Sequence, residues 1–277
     1  MTAIAPSPAP VIQRFERFAS VGSTNDVVRG WLAAGEPEIC VAIADEQTAG
    51  RGRSGRTWTA PAGSGVLLSA GFRPTWLAPD RVWQLAGTVS LAMAGAAEDV
   101  AGLPTGTIRL KWPNDLVVSA ADGGVRKLGG VLGETDGLGT TDPRAIVGIG
   151  LNADWPEDDF PPDLHATMTS LRAAAGDRPI DAVWLLDGFR SRLQAGAEAL
   201  FHGHFAAAEW VERQVTTGRE VELSMPDGST RVADATGVDT DTGALRIVDP
   251  SDPGKERSIV VGEIVHVRLA ARSRADV

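Results

Sequence analysis

The 277-residue sequence contains one cysteine, no tyrosine and four histidines. A single cysteine excludes an internal disulfide and any zinc site that needs several thiolates. Cys40 lies within an apolar run, which predicts a buried and inert thiol. The histidines show no spacing that would place metal ligands on a common face. The residues alone therefore assign no set of metal ligands.

Positive charge is also scarce, with 26 Lys and Arg against 36 Asp and Glu and a formal net charge of −10. This balance argues against a broad nucleic-acid surface, because most nonspecific binding comes from neutralising phosphates. The longest apolar-rich stretch, from Val82 to Ala97, is too short to span a bilayer. The first residues lack a basic region and contain several prolines, unlike a signal peptide. We expect a soluble, cytoplasmic protein with a disordered tail over residues 1–12.

Against this acidic background, residues 50–58 read Gly-Arg-Gly-Arg-Ser-Gly-Arg-Thr-Trp. Glycine lets a backbone approach a ligand closely, and arginine offers a planar, permanently charged fork for carboxylate or phosphate oxygens. The segment therefore predicts an anion-binding loop. It also spells Gly-x-Gly-x-x-Gly, but a strand-like run (66–72) follows it instead of a helix, and no Gly-Lys-Ser/Thr is present. Neither a dinucleotide-binding turn nor a Walker loop fits this context.

The order of apolar runs predicts an α+β protein with a mixed sheet. Ser23 or Thr24 can cap a helix that ends near Gly35, Pro79 can open a second helix, and residues 180–210 show helical spacing. Strand-like runs separated by hairpin-type turns lie between and after the first two helices.

A change in the sequence pattern at Gly218 predicts a second domain. From this point, short alternating runs are separated by Asp-Gly, Thr-Gly and Pro-Gly turns, which is typical of a small all-β, barrel-like unit of about five strands. We therefore divide the chain into the tail, a main domain over residues 13–217 and a C-terminal domain over residues 218–270.

Other motifs accompany the arginine loop. They are Gly22-Ser23-Thr24-Asn25, Gln47, Lys111-Trp112-Pro113-Asn114-Asp115, Lys127-Leu128-Gly129-Gly130 and Gly148-Ile149-Gly150-Leu151-Asn152. In this order they resemble the biotin protein ligase family, over roughly residues 15–155. The resemblance implies a mixed-sheet catalytic domain of the class II synthetase/biotin-lipoate ligase type and an SH3-like C-terminal domain.

The resemblance also implies an activity. The chain would activate biotin with ATP to biotinyl-5'-AMP, with Mg²⁺ carried by the ATP, and transfer biotin to a lysine of a biotin carboxyl carrier protein. Some family members add an N-terminal DNA-binding domain and act as repressors. Only about twenty residues precede the first motif, so we expect the monofunctional type, without DNA or membrane partners. Edge strands could pair two copies, so a monomer and a homodimer both remain open.

Site residues follow from the same resemblance, position by position. The implied catalytic residues are Lys127, Arg53 and Asp115. The implied biotin-binding residues are Ser23, Thr24, Asn25, Gln47, Arg51, Gly52, Arg53 and Lys127, with Gly50 and Gly55 allowing close approach of the loop. The implied nucleotide-binding residues are Arg56, Trp58, Lys111, Asn114 and Asn152.

Simpler interpretations of three of these residues stay open. Trp58 could pack in the core, since the chain has eight tryptophans and no tyrosine. Lys127 could be a solvated strand end, and Asp115 could only bond the backbone of its turn. Two rival functions also stay open. One is a lipoate ligase or octanoyl transferase, although a thin acyl chain would not need the polar Ser-Thr-Asn/Gln set. The other is a noncatalytic biotin sensor or interaction protein.

Overall fold

The computed structural model describes residues 9–252, 254–261 and 266–269. The first sheet is formed by β1 (Arg14–Val21), β2 (Cys40–Gln47), β3 (Gly65–Phe72), β4 (Ile108–Lys111), β5 (Asp115–Ser119), β6 (Val125–Asp136) and β7 (Arg144–Asn152). The helices are α1 (Thr24–Ala33), α2 (Trp83–Ala101), α3 (Leu171–Ala174), α4 (Ala182–Phe201) and α5 (Ala207–Glu212). A second sheet follows, with β8 (Arg219–Ser224), β9 (Thr230–Val238), β10 (Leu245–Val248), β11 (Glu256–Ile259) and β12 (His266–Leu269).

The seven-stranded sheet has the order β1-β2-β3-β7-β6-β5-β4. The pair β1–β2 is parallel, and the other neighbouring pairs are antiparallel. The mixed α+β sheet predicted from the sequence is therefore confirmed. Strand β1 was not predicted. It is a half-exposed edge strand that carries Arg14, Glu16 and Arg17, so no apolar run marks it.

The two faces of this sheet are covered by different helices. On one face, Val28 and Leu32 of α1 pack on Cys40, Ala42 and Ile146. Helices α2 and α4 pack together, and α2 lies against β6 and β7 on the opposite face. Because side chains alternate along a strand, Val147 and Ile149 of β7 join the large core on that opposite face. The sheet face that packs against α1 also carries the candidate functional site.

The first helix starts where the sequence predicts, although the Ser23 side chain makes no capping hydrogen bond. Helix α1 starts directly after Ser23, and Gly35 beyond its end has a φ of 93°, a left-handed conformation that favours glycine. A short turn from Pro79 precedes α2. The helical segment predicted over 180–210 is interrupted after α4 and resumes in α5. Cys40 is fully buried as expected, and burial raises the pKa of its thiol to about 11.

The second sheet is antiparallel throughout, in the order β11-β10-β9-β8-β12. Its five strands match the predicted count, and an SH3-like barrel stays a prediction. The predicted strand that begins at Ile264 falls partly outside the described residues. Among the described residues, no helix is long and apolar enough to cross a membrane.

The expected N-terminal tail is bound where the structure describes it. Residues 1–8 lie outside the described residues. The backbone N–H of Ile12 donates to Gln194 Oε1 at 2.8 Å, and Gln194 Nε2 donates to the carbonyl of Pro10 at 2.9 Å. Residues 10–12 are thus fixed to α4, which differs from the expectation of disorder up to residue 12. The physical reason is that the half-buried amide of Gln194 pairs with two backbone groups of this segment.

Candidate functional site

A pocket opens on the α1 face of the seven-stranded sheet. Its wall is formed by the start of α1, the arginine loop and parts of β5, β6 and β7. It brings together most of the residues that the sequence analysis selected: Ser23, Thr24, Asn25, Gln47, Arg51, Gly52, Arg53, Arg56, Trp58, Asn114, Asp115 and Lys127. Segments from Ser23 to Lys127 therefore converge on one cavity.

The floor of the pocket is the bare backbone of β7. A Cβ at Gly148 would collide with the Asn25 side chain, and a Cβ at Gly150 would collide with the Trp58 ring. Glycine at both positions lets α1 and the loop approach the sheet closely. Trp58 consequently lies against the strands, with its ring centroid 5.5 Å from Lys127 Nζ.

The arginine loop is a tight hairpin. The N–H of Gly52 donates to the Arg56 carbonyl at 2.7 Å, and the N–H of Trp58 donates to the Gly50 carbonyl at 3.0 Å. A Cβ at Gly50 would collide with the Trp58 carbonyl, and Gly55 at the tip has a φ of 74°. Two of the three glycines are therefore required by the backbone of the loop.

Arg51 connects this loop to the first helix and to β6. Its Nη1 lies 2.7 Å from Asp26 Oδ2, and its Nη2 lies 3.5 Å from Glu134 Oε2. The hydrogen bond from Arg51 lowers the pKa of Asp26. Two carboxylates thus hold the first arginine of the loop.

Arg53 is directed toward the other end of the pocket. Its Nη1 lies 3.4 Å from Asn114 Oδ1, and its Nη2 donates to the carbonyl of Val261 at 3.0 Å. Burial lowers the pKa of this guanidinium. A cation that has lost part of its hydration interacts strongly with an anion that enters beside it.

Asp115 lies between two lysines. Its Oδ1 is 2.7 Å from Lys127 Nζ, and its Oδ2 is 3.6 Å from Lys111 Nζ. Burial lowers the pKa of Lys111, and this effect outweighs the attraction of Asp115. With Arg53 also close to Asp115, three cations share one carboxylate. This end of the pocket therefore has a positive excess and can accept an anion.

The end of the pocket under α1 is polar and uncharged at its centre. Gln47 Oε1 accepts from the backbone N–H of Thr24 at 2.8 Å and lies 3.1 Å from Thr24 Oγ1. The amide of Asn25 is already bound, since its Nδ2 donates to Glu134 Oε2 at 2.5 Å and its Oδ1 accepts from Ser69 Oγ at 2.5 Å. Asn25 therefore lines the pocket with both polar atoms of its amide already hydrogen-bonded.

Three residues of this arrangement were not selected from the sequence: Asp26, Ser69 and Glu134. Alternation along β6 does not single out Glu134, because Gly130, Val131 and Leu132 all line the pocket. Ser69 carries no signal either, because it is a small polar residue within an apolar strand.

Two selected residues do not line this pocket. Asn152 is buried, and its Nδ2 donates to the carbonyl of Thr169 at 2.9 Å. Lys111 lies in an adjoining cavity, which also contacts Arg53, Asn114 and Asp115. The nucleotide contacts assigned to Asn152 and Lys111 stay predictions. Within residues 9–252, 254–261 and 266–269, no three His, Cys, Asp or Glu side chains form a group able to hold a metal ion.

Comparison with known families and proteins gives consistent matches. The model of the biotin/lipoate A/B protein ligase family matches residues 18–152. The biotin--[acetyl-CoA-carboxylase] ligase of Mycobacterium tuberculosis is 34% identical over 260 residues, covering 92% of this chain and 90% of the relative. The bifunctional ligase/repressor BirA of Bacillus subtilis is 35% identical over 142 residues. That match covers 51% of this chain and 41% of the relative, so the chain spans less than half of the bifunctional protein.

Solved structures share the fold. The biotin protein ligase from Aquifex aeolicus in complex with biotin and ATP superposes with a TM-score of 0.74 at 23% identity. The match covers 94% of this chain and all of that chain. The biotin protein ligase from Leishmania major in complex with biotinyl-5-AMP gives a TM-score of 0.54 at 22% identity and covers 90% of this chain. The fold of most of the chain thus recurs at low sequence identity.

Proposed function

The chain belongs to the biotin/lipoate A/B protein ligase family, and we infer that it is a biotin protein ligase. It activates biotin with ATP to biotinyl-5'-AMP and transfers biotin to a lysine of a carrier protein. One observation carries this inference: a polar pocket end formed by Thr24 and Gln47 leads, over a glycine floor, to a cationic end with Arg53 and Lys127. A ligand that is polar at one end and anionic at the other fits this order.

The first step joins two anions. A biotin carboxylate oxygen attacks the α-phosphorus of ATP, the bond from that phosphorus to the bridging oxygen breaks, and pyrophosphate leaves. The reacting groups repel each other, so positioned cations supply the main stabilisation. We assign this role to Arg53 and Lys127. The distance of 2.7 Å from Lys127 Nζ to Asp115 Oδ1 supports the assignment, because the carboxylate holds the ammonium at the cationic end.

The second step forms the amide. The acceptor amine attacks the acyl carbon of the mixed anhydride, the bond to the AMP oxygen breaks, and the amine loses a proton. Asp115 is the acid nearest to Lys127 and Arg53, and we assign it the task of orienting the amine or taking its proton. Arg56, Trp58, Lys111, Asn114 and Asn152 are assigned to the nucleotide side.

Magnesium and the carrier belong to the same proposal. The described residues contain no cluster of metal ligands, so we propose that Mg²⁺ enters with the ATP polyphosphate, whose charge it balances. The acceptor is proposed to be a biotin carboxyl carrier protein, and the protein is proposed to act in the cytoplasm as a monomer or homodimer.

Isotope exchange between pyrophosphate and ATP tests the function. We expect biotin to support exchange and lipoate to support none, since the Thr24 and Gln47 side chains would face no polar ring in lipoate. Mass measurement of the protein after incubation with biotin and ATP should show the retained adenylate. Exchange with lipoate alone would move the assignment to a lipoate ligase, and no exchange with either acid would favour a noncatalytic biotin-binding protein.

A further inference from the structure

A bidentate ion pair joins the arginine loop (residues 50–58) to the first helix. We propose that Asp26 is a positioning residue that anchors this loop at the pocket through Arg51 and so slows the release of the bound adenylate. The inference rests on the proposed function, because its effect is measured on that intermediate. It differs from the direct biotin contact that the resemblance implies for Arg51, and the two roles predict opposite results.

The pair has a geometry that makes an arginine–carboxylate contact directional. Arg51 Nη1 donates to Asp26 Oδ2 at 2.7 Å, and Arg51 Nη2 donates to Asp26 Oδ1 at 2.8 Å. Two parallel hydrogen bonds fix the orientation of the guanidinium as well as its distance from the carboxylate. Asp26 lies in the first turn of α1, and this helix packs on the sheet through Val28 and Leu32. The contact therefore sets the position of the loop relative to the sheet.

Two further charges extend the pair into a network. Arg29 Nη1 lies 2.6 Å from Asp26 Oδ1, and Arg29 Nη2 lies 2.9 Å from Glu134 Oε2. Glu134 Oε2 also lies 3.5 Å from Arg51 Nη2. Cations and carboxylates thus alternate around a ring that joins the loop, α1 and β6. A single exposed ion pair contributes little, whereas a bidentate pair within a network is the arrangement that contributes measurably.

The charges around Arg51 argue against a role in holding the anion of the ligand. Two carboxylates pair with its guanidinium, Asp26 Oδ2 at 2.7 Å and Glu134 Oε2 at 3.5 Å. At the other end of the pocket the balance is opposite, because three cations share one carboxylate there. An entering anion is therefore drawn to that cationic end. To bind the same edge of Arg51, it would have to displace Asp26.

The arginine loop is held from two sides. Hydrogen bonds of 2.7 and 3.0 Å join its two arms, so the loop moves as one unit. Arg51 fixes it on the α1 side, and Arg53 fixes it on the side of Asn114 and Val261. Both arginines line the pocket, so a ligand that fills the pocket lies against the loop. Lifting the loop from the bound state breaks the Asp26 pair, and the strength of this pair therefore controls how often the ligand can leave.

Direct binding of the ligand by Arg51 is the competing role. In that case Asp26 competes with the ligand for one guanidinium, and removal of its carboxylate frees Arg51 to hold an anion more tightly. Loss of Asp26 would then slow the release of the adenylate or leave it unchanged. If Asp26 is the anchor, its loss speeds the release. The sign of the change separates the two roles.

A double-mutant cycle tests the anchor. Asp26→Ala, Arg51→Ala and the double variant are each loaded with biotin and radiolabelled ATP and separated from unbound substrates. We expect the isolated complex to lose labelled adenylate about fivefold faster in each single variant, which is the upper end for an exposed ion pair. The double variant should lose it no faster than either single variant, because the second substitution removes a contact that is already absent.

Two further variants and the salt concentration serve as controls. Asp26→Glu keeps the charge and should stay within about twofold of the parent release rate. Asp99→Ala breaks an exposed ion pair with Arg192 between α2 and α4, away from the pocket, and should release the adenylate at the parent rate. High salt should bring the parent and Asp26→Ala together, because it screens a partly exposed pair.

The outcomes that contradict the anchor are distinct. Unchanged or slower release in Asp26→Ala would overturn it, and so would equal acceleration in Asp99→Ala. An additive effect in the double variant would also overturn it, because Asp26 would then act independently of Arg51. A parent protein that retains no adenylate would overturn the proposed function and this inference with it. Retention by the parent without a change in Asp26→Ala would overturn the anchor alone.

Discussion

Lys127 Nζ and Asp115 Oδ1 are 2.7 Å apart at the cationic end of the pocket. The pair gives Lys127 a fixed position before any substrate arrives, although its side chain is 39% exposed. An entering carboxylate must share the ammonium with Asp115. The ion pair therefore positions Lys127 to bind an anion. Once the adenylate has formed, the Asp115 carboxylate lies beside the site where the amine must attack.

Replacing this lysine should stop the first step. We expect Lys127→Ala to lower biotin-dependent ATP–pyrophosphate exchange by about a hundredfold or more, the scale for losing one electrostatic stabiliser of a transition state. Its melting temperature should stay near that of the parent, because a half-exposed ion pair adds little stability. Lys255→Ala, at an exposed position in the C-terminal domain, is the matched control. Normal exchange in Lys127→Ala would refute the assigned role.

Arg53 is expected to retain the reactive intermediate. Its contacts with Asn114 and Val261 hold the loop across the pocket, and a closed loop shields a mixed anhydride from water and stray amines. Arg53→Ala should release biotinyl-5'-AMP about tenfold faster or more, since one charge-assisted contact is lost. It should also biotinylate lysines of a bystander protein, detected by blotting. Arg257→Ala, on exposed β11, is the control and should show neither faster release of the adenylate nor labelling of the bystander protein. Equal retention of the adenylate in both variants would disprove the shielding.

The buried pair of Glu98 and Arg213 should control stability. Arg213 Nη1 lies 2.8 Å from Glu98 Oε1, and both side chains are at most 4% exposed. Arg213→Ala leaves a buried carboxylate without its cation, so we expect the free energy of unfolding to fall by about 3–5 kcal/mol in urea titration. Arg192→Ala breaks an exposed pair with Asp99 and should cost at most about 1 kcal/mol. Similar losses in the two variants would contradict this account.

Cys40 should respond to pH and thiol reagents as a buried group. Burial raises its pKa from the ordinary 9.0 to about 11, so at pH 8 the folded thiol should react with a disulfide reagent about a hundredfold more slowly than the unfolded thiol. Between pH 9 and 11 only the unfolded state loses this proton, and the free energy of unfolding should therefore fall as pH rises. Cys40→Ala should show a shallower decline over the same range. Rapid labelling of the native protein would contradict the burial.

Much of this architecture can be predicted from local signals. The helix start after Ser23, the break at Gly35 and the alternating C-terminal runs each report a local preference of the backbone. The cluster of glycines and arginines predicted an anion-binding loop, and the other pocket residues were assigned through the resemblance to the family. Strand β1 was missed because its pairing with β2 supplies stability that its own charged residues do not reveal.

The residues behind the pocket were missed for a related reason. Ser69 and Glu134 both bond the Asn25 amide, and their contacts depend on the register of β3, β6 and β7, which no short motif encodes. Asn25 itself was selected as a ligand contact, yet its amide bonds to these two residues. The biotin contact assigned to Asn25 therefore stays a prediction, and the two partners of its amide are set by long-range strand pairing.

The glycines at 148 and 150 restrict how this pocket can change. Substitution there brings a side chain into Asn25 or Trp58, so neither of these two positions can be used to tune ligand preference. Variation has to come from the rim, where the start of α1 and residues 50–58 carry the adjustable side chains. Engineering for altered biotin analogues should therefore draw its libraries from those two segments and leave β7 untouched.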